Sequence, residues 1–285
     1  MSSCVYYLSS DGRQYVSLDG DGLWIGTAED LRSRDWDYVL GYRSLTGITR
    51  KAKERSITAC FTSMEVADKL RALSDCDMAH NTPGWVVVYA KEEDGILIGG
   101  WRQRAFIVSS KPDTISPNFL KTKLTVTLLD GAWKKGHLIE LRSESSYGTD
   151  GLDYPHDIPF DYGIDTSTKY VNNTGVAPAP LRITFYGAGE NPQVSIANNT
   201  YRVDTTIPES SYVEVNGAAY PKTIVLTDPY GDKEDIFAKG ERGSGLGSGD
   251  YIFEEVPVGY FPISWSGASA VDVEWFEVEG EPPWS

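Results

Sequence analysis

Short runs of alternating apolar and polar residues recur along most of this chain, with turn residues between them. In Leu124–Leu128 the pattern places leucine and valine on one face of a strand, and Thr125 and Thr127 on the other. Such a strand is buried on one side only. The repeated pattern predicts an all-β fold of half-buried antiparallel strands.

Two Asp-Gly pairs mark places where strands are expected to turn back. Asp11-Gly12 stands between Val5–Leu8 and Gln14–Leu18. Residues in such pairs readily adopt the positive φ angles of a tight hairpin turn, so each pair predicts an antiparallel hairpin. The second predicted hairpin consists of Trp85–Ala90, the pair Asp94-Gly95 and Ile96–Ile98.

One helix is predicted among the strands. Thr62 is placed as its N-cap, and Glu65, three residues later, completes a capping box. Val66, Leu70 and Leu73 then recur at helical spacing and form one narrow apolar stripe. We expect this stripe to pack on the sheet of the first domain, and a docking face for another protein is the alternative.

The net charge comes entirely from the second half of the chain. Residues up to Thr149 include 19 basic and 19 acidic side chains, whereas Asp150–Ser285 includes 7 basic and 22 acidic ones, which accounts for the formal net charge of -15. A length of 285 residues is sufficient for two ordinary domains. The sequence predicts a neutral domain at 1–149 and an acidic domain at 150–285.

The segment 143–168 lacks a strand pattern and lies at the predicted boundary. Pro155 and Pro159 exclude a central strand, but the aromatic residues around them are unusual in a free linker, so we expect a structured crossover. Beyond it, about eight short strands are typical of a β-sandwich or jelly roll, with a flexible glycine-rich loop at 240–249. The predicted strands contain Leu181–Phe185, Val194–Ile196, Tyr201–Val203, Tyr212–Val215, Ile224–Leu226, Tyr251–Phe253, Phe261–Trp265 and Val271–Trp275.

No motif for nucleophilic, metal or nucleotide chemistry occurs in the sequence. The glycine-rich loop lacks the lysine of a P-loop and the third glycine of a dinucleotide-binding turn. The cysteines and histidines have no metal-ligand spacing, so the cysteines are interpreted as core thiols and the histidines as incidental. These residues are Cys4, Cys60, Cys76, His80, His137 and His156. No catalytic, cofactor-binding or metal-ligating residue is assigned, and no cofactor is expected.

Acidic residues offer two weaker candidates. A β-sandwich glycosidase needs only two carboxylates across a cleft, but no pair stands out, and Asp272 and Glu274 are expected to be solvated because they alternate with apolar residues. A calcium site is the second candidate, and an exposed turn is the favoured interpretation. Its four residues are Asp228, Asp232, Glu234 and Asp235.

Basic residues offer a third candidate. Arg102 and Arg104 share one strand face, and Lys121 and Lys123 share another. Neighbouring strands would combine them into a basic stripe for an acidic partner or passing DNA, although a solvated face is favoured. The acidic second half makes nucleic-acid binding an improbable main function. Residues 1–10 lack the features of a secretory signal, so we expect synthesis and assembly in a cytoplasm.

The order of these parts resembles the distal tail protein family of long-tailed bacteriophages. The matching features include the opening hairpin, the lone helix after a strand at 57–61, and the crossover Tyr-Pro-His-Asp-Ile-Pro-Phe-Asp-Tyr-Gly at 154–163. Three further matching segments are Leu128-Leu-Asp-Gly-Ala-Trp133, Asn173-Thr-Gly-Val-Ala-Pro-Ala-Pro-Leu-Arg-Ile183 and Val256-Pro-Val-Gly-Tyr-Phe-Pro-Ile-Ser-Trp-Ser-Gly267. The resemblance spans nearly the whole chain.

The resemblance implies a tail-tube-like β-sandwich or barrel with a flanking helix, followed by a galectin-like β-sandwich. It also implies a non-enzymatic homo-hexameric ring in the phage tail tip, between the tail tube protein and the tail-tip hub protein, through which DNA passes. Receptor-binding proteins or host glycans are further expected partners, and membrane insertion is not expected. A carbohydrate-binding module, with exposed Trp and Tyr as stacking platforms, and a two-domain glycosidase remain alternatives.

Overall fold

The computed structural model describes residues 5–26, 29–34, 36–142, 169–266 and 269–283. The chain forms two compact units: the first is Met1–Lys135 with Val278–Ser285, and the second is Gly136–Glu277. The second unit is therefore an insertion in the first. The predicted boundary at 149/150 and the predicted crossover at 143–168 lie outside the described residues.

The two units differ in position from the domains predicted by charge, but they retain the charge difference. The first unit contains 18 basic and 19 acidic residues, and the second contains 8 and 22. The boundary differs because compact units are defined by packing between buried residues, whereas charge is a property of the solvent-facing ones. The final segment, Val278–Ser285, returns to the first unit although the charge pattern gave no sign of it.

The described residues of the first unit form a β structure with two helical segments. The helices are α1, a single turn at Glu29–Arg32, and α2 at Met64–Ala79. The strands are β1 (Val5–Leu8), β2 (Tyr15–Ser17), β3 (Asp19–Gly20), β4 (Leu23–Ile25), β5 (Asp37–Leu40), β6 (Leu45–Thr49), β7 (Lys53–Phe61), β8 (Gly84–Val88), β9 (Lys91–Glu93), β10 (Ile96–Ile98), β11 (Trp101–Ser116), β12 (Phe119–Leu128) and the beginning of β13 (Trp133–Leu141).

Eight strands of the first unit form an antiparallel array in the order β3-β4-β7-β12-β11-β8-β1-β2. Strand β7 follows β12 along its length, from the pair Lys53 and Leu128 to the pair Phe61 and Leu120. The long β11 pairs with β8 only over Trp101–Ala105. Its outer part therefore projects beyond β8, with β12 as its neighbour.

Alternate residues of these strands form the core of the first unit, as the period-2 pattern predicts. The face of β12 that carries Leu124, Val126 and Leu128 is buried, and Thr125 and Thr127 lie on the half-exposed face. Helix α2 covers this core with Leu70 and Leu73, while Val66 packs at its edge, so the predicted stripe and its role are confirmed. Each fully buried Leu or Val side chain contributes about 1.5–3 kcal/mol.

The beginning of α2 differs by one residue from the prediction. Ser63, not Thr62, is the N-cap, and its hydroxyl accepts a hydrogen bond from the Val66 backbone N–H at 3.4 Å. The Thr62 backbone N–H donates to the Gly22 carbonyl at 2.9 Å, which keeps Thr62 on the strand side of the junction. Both residue types are good N-caps, and the tertiary contact decides between them.

One predicted hairpin is correct, and the other has different strands. β1 and β2 pair on either side of Asp11-Gly12. Asp94-Gly95 does form a turn with positive φ at both residues, but it joins β9 to β10. The prediction that Trp85–Ala90 is the first strand of this hairpin is wrong, because β8 is buried between β1 and β11 instead.

The second unit is built from short strands. These are the end of β13, β14 (Tyr170–Asn173), β15 (Leu181–Tyr186), β16 (Gly189–Glu190), β17 (Gln193–Ile196), β18 (Asn199–Arg202), β19 (Thr206–Ile207), β20 (Tyr212–Asn216), β21 (Thr223–Thr227), β22 (Lys233–Asp235), β23 (Gly259–Trp265) and β24 (Val271–Glu279), with a 3-10 turn at Phe237–Lys239. The last two residues of β24 belong to the first unit.

Two antiparallel sheets of the second unit pack around one core, which confirms the predicted β-sandwich. Within this unit the first sheet has the order β22-β21-β20-β15-β24, and the second has the order β14-β23-β17-β18. Inward-facing residues of both sheets form one buried cluster, as in other sandwiches. Its members include Val171, Ile183, Phe185, Val194, Ile196, Tyr201, Val213, Val215, Ile263, Val271 and Val273.

The predicted strand at Tyr251–Phe253 is wrong, because this segment is a turn. Its apolar residues Ile252 and Phe253 are buried, as the pattern required. The backbone of Tyr251 is satisfied by a side chain rather than by a strand: the Asn199 amide donates to the Tyr251 carbonyl at 3.0 Å and accepts from its N–H at 3.2 Å. No helix in the described residues is long and apolar enough to cross a membrane.

Candidate assembly surface

The acidic loop considered as a calcium site is an exposed turn. Both the Tyr230 and the Asp232 backbone N–H groups donate to one carboxylate oxygen of Asp228, at 2.9 and 2.8 Å. The Asp235 carboxylate accepts from the Phe237 N–H at 2.9 Å. These carboxylates stabilise the loop backbone. Across the described residues, no group of three or more His, Cys, Asp or Glu side chains has metal-binding geometry.

The prediction that Asp272 and Glu274 are solvated is wrong. Asp272 is only 17% exposed, and it binds the Arg142 guanidinium at 2.5 Å and the Tyr186 hydroxyl at 2.8 Å. Glu274 forms a close ion pair with Arg182. Burial and the hydrogen bond to Asp272 raise the pKa of Tyr186 to about 12. Cross-strand ion pairs therefore account for both carboxylates on this strand face.

The basic stripe does not form as the sequence allowed. Strands β11 and β12 are neighbours, but Lys123 lies opposite Lys111, whereas Arg104 lies at the other end of the pair near Leu128. Arg104 instead binds Asp130, with N–O distances of 2.7 and 2.8 Å. Lys121 forms an ion pair with Asp113 at 3.2 Å. The arginines and the lysines thus belong to two separate parts of the strand pair.

The cysteines and histidines belong to no metal-binding group in the described part of the chain, although the Cys76 Sγ lies 3.7 Å from the His80 Nδ1. Cys60 is half-buried on β7, and the prediction of a core thiol is wrong for Cys76, which is exposed on α2. His80 caps the end of α2, and its Nδ1 lies 2.9 Å from the Cys76 carbonyl oxygen. His137 stacks on Trp275 with 5.0 Å between ring centres. Cys4 and His156 lie outside the described residues.

The most unusual surface is a hairpin in the first unit, β5 and β6 with their connecting loop at 37–49, which we name the apolar arm. Tyr42 at its tip is 94% exposed and Leu40 is 72% exposed. Contiguous exposed apolar surface is uncommon on a monomer and marks sites of interaction. Its large exposed apolar residues are Tyr38, Val39, Leu40, Tyr42, Leu45 and Ile48.

Local backbone features give the apolar arm its form. The Gly41 N–H donates to the Ser44 carbonyl at 2.7 Å and closes the loop between Leu40 and Leu45. Gly47 has φ of +69° and is the extra residue where the register shifts, which is the arrangement of a β-bulge. A bulge bends and twists the hairpin, so the arm is not a flat ribbon.

Charged side chains fix the base of the apolar arm. The Asp37 carboxylate lies 3.2 Å from the Lys53 ammonium and 3.6 Å from the Lys51 ammonium. The hydrogen bond from Lys53, supported by the charge of Lys51, lowers the pKa of Asp37 below its usual value. The Arg50 guanidinium lies over the Trp36 ring, 4.4 Å from its centre. The arm is therefore held at its base while its tip stays in solvent.

A second apolar surface lies beside α2, and we name it the helix groove. It is a cavity of about 450 Å³ between α2 and the strands β7, β11 and β12. Leu120 and Leu124 line it from β12, and Met64 and Met78 line it from the helix. Asp68, Arg71 and Asp75 lie at its helix side. Methionine side chains adapt to irregular partners and are common at binding surfaces.

A buried hydrogen-bond network positions α2 and hence one wall of the helix groove. Asp77 is 2% exposed and accepts hydrogen bonds from the Tyr7 hydroxyl at 2.8 Å and from the Ser10 N–H at 3.1 Å. Burial, together with the hydrogen bond and the charge of Asp77, raises the pKa of Tyr7. Gly84 packs against the same groups, because a Cβ there would lie within 2.7 Å of them.

The second unit has a smaller aromatic surface of its own. Tyr170 and Tyr260, on the neighbouring strands β14 and β23, stack with 4.5 Å between ring centres and an angle of 12°. Both are exposed on the outer face of the sheet, where Asn172 lies opposite Tyr260. A separate cavity of about 350 Å³ includes Glu254, but its carboxylate accepts a hydrogen bond from the Gly247 N–H at 2.8 Å.

Neither the apolar arm nor the helix groove was predicted from the sequence. The available signal was the run Tyr38–Leu40 with Leu45 and Ile48, which is apolar on both faces of a strand. Such a run ordinarily indicates a fully buried central strand. Only the pairing of β5 with β6 alone, away from the main array, places these residues in solvent.

The same arrangement of strands and helix occurs in solved structures of phage proteins. The Dit protein of phage SPP1, described as a paradigm of hub adsorption apparatus in phages that infect Gram-positive bacteria, matches with a TM-score of 0.51 and 10% identity, over 98% of this chain and 99% of that one. The chain shares the fold of a phage Dit protein. The all-β fold expected from the family resemblance is thereby confirmed, and the galectin-like character of the second unit stays a prediction.

Chains of the phage p2 baseplate in its activated conformation also share the Dit-like fold. The structure with calcium matches with a TM-score of 0.57 and 10% identity, over 96% of this chain and 97% of that one. The structure with strontium matches with a TM-score of 0.56 and 10% identity, over 95% and 97%. No family model and no curated protein sequence matches the chain.

Proposed function

We propose that this protein is a structural, non-enzymatic component of a phage tail tip, and that six copies form a ring between the tail tube protein and the tail-tip hub protein. The observation that carries the proposal is the fold. Both units take part in the match to phage Dit and baseplate chains, because it covers 95–98% of this chain. Such a ring would be assembled in the host cytoplasm and would leave a central channel for DNA.

The surfaces of the first unit support self-association. The apolar arm presents large apolar residues to solvent, and burial of such residues against another molecule is strongly favourable. The unit carries 18 basic and 19 acidic residues, so its copies can meet with complementary charges. The second unit, with 8 basic and 22 acidic residues, repels its own copies. We therefore assign the ring contacts to the first unit and expect the second unit to be spaced from its copies.

The carboxyl groups in the structure give little support for a glycosidase activity. A glycosidase needs a carboxyl group with a raised pKa. Among the described carboxyl groups, the pKa of Asp11 is lowered mainly by its hydrogen bond from Ser9, and the pKa of Asp37 is lowered mainly by its hydrogen bond from Lys53. Both shifts are opposite in direction to that requirement. The proposed role is accordingly mechanical and not catalytic.

Negative-stain electron microscopy and light scattering on the purified full chain test this proposal. We expect rings with a central channel and a mass near six times the 31.5 kDa of one chain. A matched pair of variants is Tyr42→Asp in the apolar arm and Tyr230→Asp, a comparably exposed tyrosine in the second unit. The first should reduce ring formation and the second should not. A chain that is monomeric both alone and in assembled tails would refute the proposal.

A second function, weak glycan binding by the second unit, is favoured by one observation. The exposed, stacked rings of Tyr170 and Tyr260 lie beside Asn172, and sugar rings can stack on the faces of exposed aromatic side chains. Six copies in a ring would multiply a weak affinity. A glycan array probed with the assembled protein and with a Tyr170→Ala, Tyr260→Ala variant tests this role. Equal glycan binding by the two proteins would show that Tyr170 and Tyr260 do not form the glycan site.

A further inference from the structure

The first unit carries two apolar surfaces that do not cover each other. Every residue of β6 is exposed, and Tyr38, Val39 and Leu40 of β5 are exposed as well, so the apolar arm does not lie in the helix groove of its own chain. The groove is open as well, since its lining residues Met78 and Val108 are 47% and 41% exposed. Both surfaces are rich in apolar side chains and open to solvent.

The two surfaces lie at opposite ends of β7. The apolar arm is fixed at the Lys53 end by the ion pair with Asp37. The helix groove flanks the Phe61 end, where β7 pairs with Leu120 of β12. The strand from Lys53 to Phe61 spans about 26 Å at ~3.3 Å per residue. Two complementary patches at different places on one molecule give a head-to-tail contact, which closes into a ring when the rotation permits.

Charge also matches between the two surfaces. Arg43 is the single charged residue of the arm beyond Asp37. On the helix side of the groove, Arg71 binds Asp68 at 3.1 Å, whereas Asp75 has no ion-pair partner among the described residues. A basic tip that enters the groove can therefore pair with an acidic side chain at its edge.

We propose that the apolar arm of each copy binds in the helix groove of the next copy around the ring, with Leu40 and Tyr42 inside the groove and Arg43 beside Asp75. This inference rests on the proposed ring. In this arrangement the arm of a second copy of this chain occupies the groove, and every contact around the ring is the same. It also gives Met64 and Met78 a role, since their flexible side chains can close around the arm.

Disulfide trapping between separate chains tests the contact. In a background with Cys4, Cys60 and Cys76 replaced by serine, one chain carries Tyr42→Cys and another carries Met78→Cys. Disulfides form only where the Cα atoms approach within about 7 Å. After mixing and mild oxidation, we expect several-fold more cross-linked heterodimer than from a matched control of Tyr230→Cys with Met78→Cys. Rings that cross-link no more than the control would overturn this inference and leave the proposed function intact.

A charge exchange provides a second test on the uncrosslinked protein. Asp75→Arg should weaken ring assembly about two- to fivefold, as expected for a surface ion pair. Arg43→Asp in the same chain should restore it, because the pair is then reversed. Failure of the double variant to recover, with rings still formed by the wild-type chain, contradicts the contact. Absence of rings in the wild-type chain would instead refute the proposed function, and this inference with it.

Discussion

The hydrogen-bond network under α2 gives a prediction whose size follows from its geometry. Asp77→Ala removes the acceptor of two hydrogen bonds, from the Tyr7 hydroxyl and the Ser10 N–H. A buried unsatisfied hydroxyl costs about 1–3 kcal/mol, and the lost backbone hydrogen bond costs about 1 kcal/mol more. We expect α2 to lose roughly 2–4 kcal/mol of local stability. Native-state hydrogen exchange of residues 64–79 should then show about 30- to 1,000-fold less protection.

The double-mutant cycle with Tyr7→Phe separates this network from a general loss of packing. Both single variants break the same 2.8 Å hydrogen bond, so the double variant should cost less than the sum of the singles by about 0.5–3 kcal/mol. Cys76→Ala, an exposed position next to Asp77 on the same helix and outside the groove lining, is the control and should change protection by no more than about 0.5 kcal/mol. Additive losses, or unchanged exchange in Asp77→Ala, would refute the reasoning.

Three further predictions concern named contacts. Gly84→Ala should destabilise the first unit by roughly 1–3 kcal/mol in thermal unfolding, because its Cβ would lie 2.7 Å from the Leu8 carbonyl oxygen, which is backbone and cannot rotate away. The pKa of Asp37, measured by NMR, should lie below 3.8 and should rise in the Lys53→Met variant. Because the pKa of Asp37 is lowered by folding, the stabilisation at the base of the arm is present near neutral pH and is lost as the pH falls through that pKa. Tyr186 should ionise near pH 12 in spectrophotometric titration, and at a lower pH in the Asp272→Asn variant. Because the pKa of Tyr186 is raised by folding, this tyrosine ionises at a lower pH in the unfolded chain, and stability declines above about pH 10.

The period-2 pattern predicted the strands well where one face of each is buried. Leu124–Leu128 shows the reason, since alternation leaves no second register that buries the same side chains. The apolar stripe Val66, Leu70 and Leu73 identified α2 for the same kind of reason. Local pattern was sufficient because the apolar residues and their burial coincide in these elements.

The failures occurred where a distant residue decides the structure. Asn199 holds Tyr251 in a turn across 52 positions of sequence, and no local pattern reports this. Arg142 and Arg182 desolvate Asp272 and Glu274 in the same way. The sequence of the apolar arm is typical of a buried strand, but its exposure depends on which strands pair. The arm could therefore be identified as a surface only from the fold.

The insertion of the second unit also changes how fragments should be made. The charge pattern favours a comparison of 1–149 with 150–285, with rings expected from the first and a soluble monomer from the second. The first of these fragments lacks Val278–Ser285, whose Pro283 carbonyl accepts a hydrogen bond from Arg32 at 2.8 Å. The second lacks Leu141, which is fully buried in the core of the second unit. Residues 1–135 linked to 278–285, compared with 136–277, test the same assignment with both cores complete.

The apolar arm affects the solubility of newly made chains before they assemble. Its strands combine high β-propensity with a single charge beyond Asp37, a composition that favours uncontrolled aggregation of newly made chains. The bulge at Gly47 interrupts the regular hydrogen-bond ladder with which a strand of another chain would pair. It therefore slows aggregation while the apolar surface stays exposed. The yield of soluble protein should then depend on how quickly the arm meets its correct target.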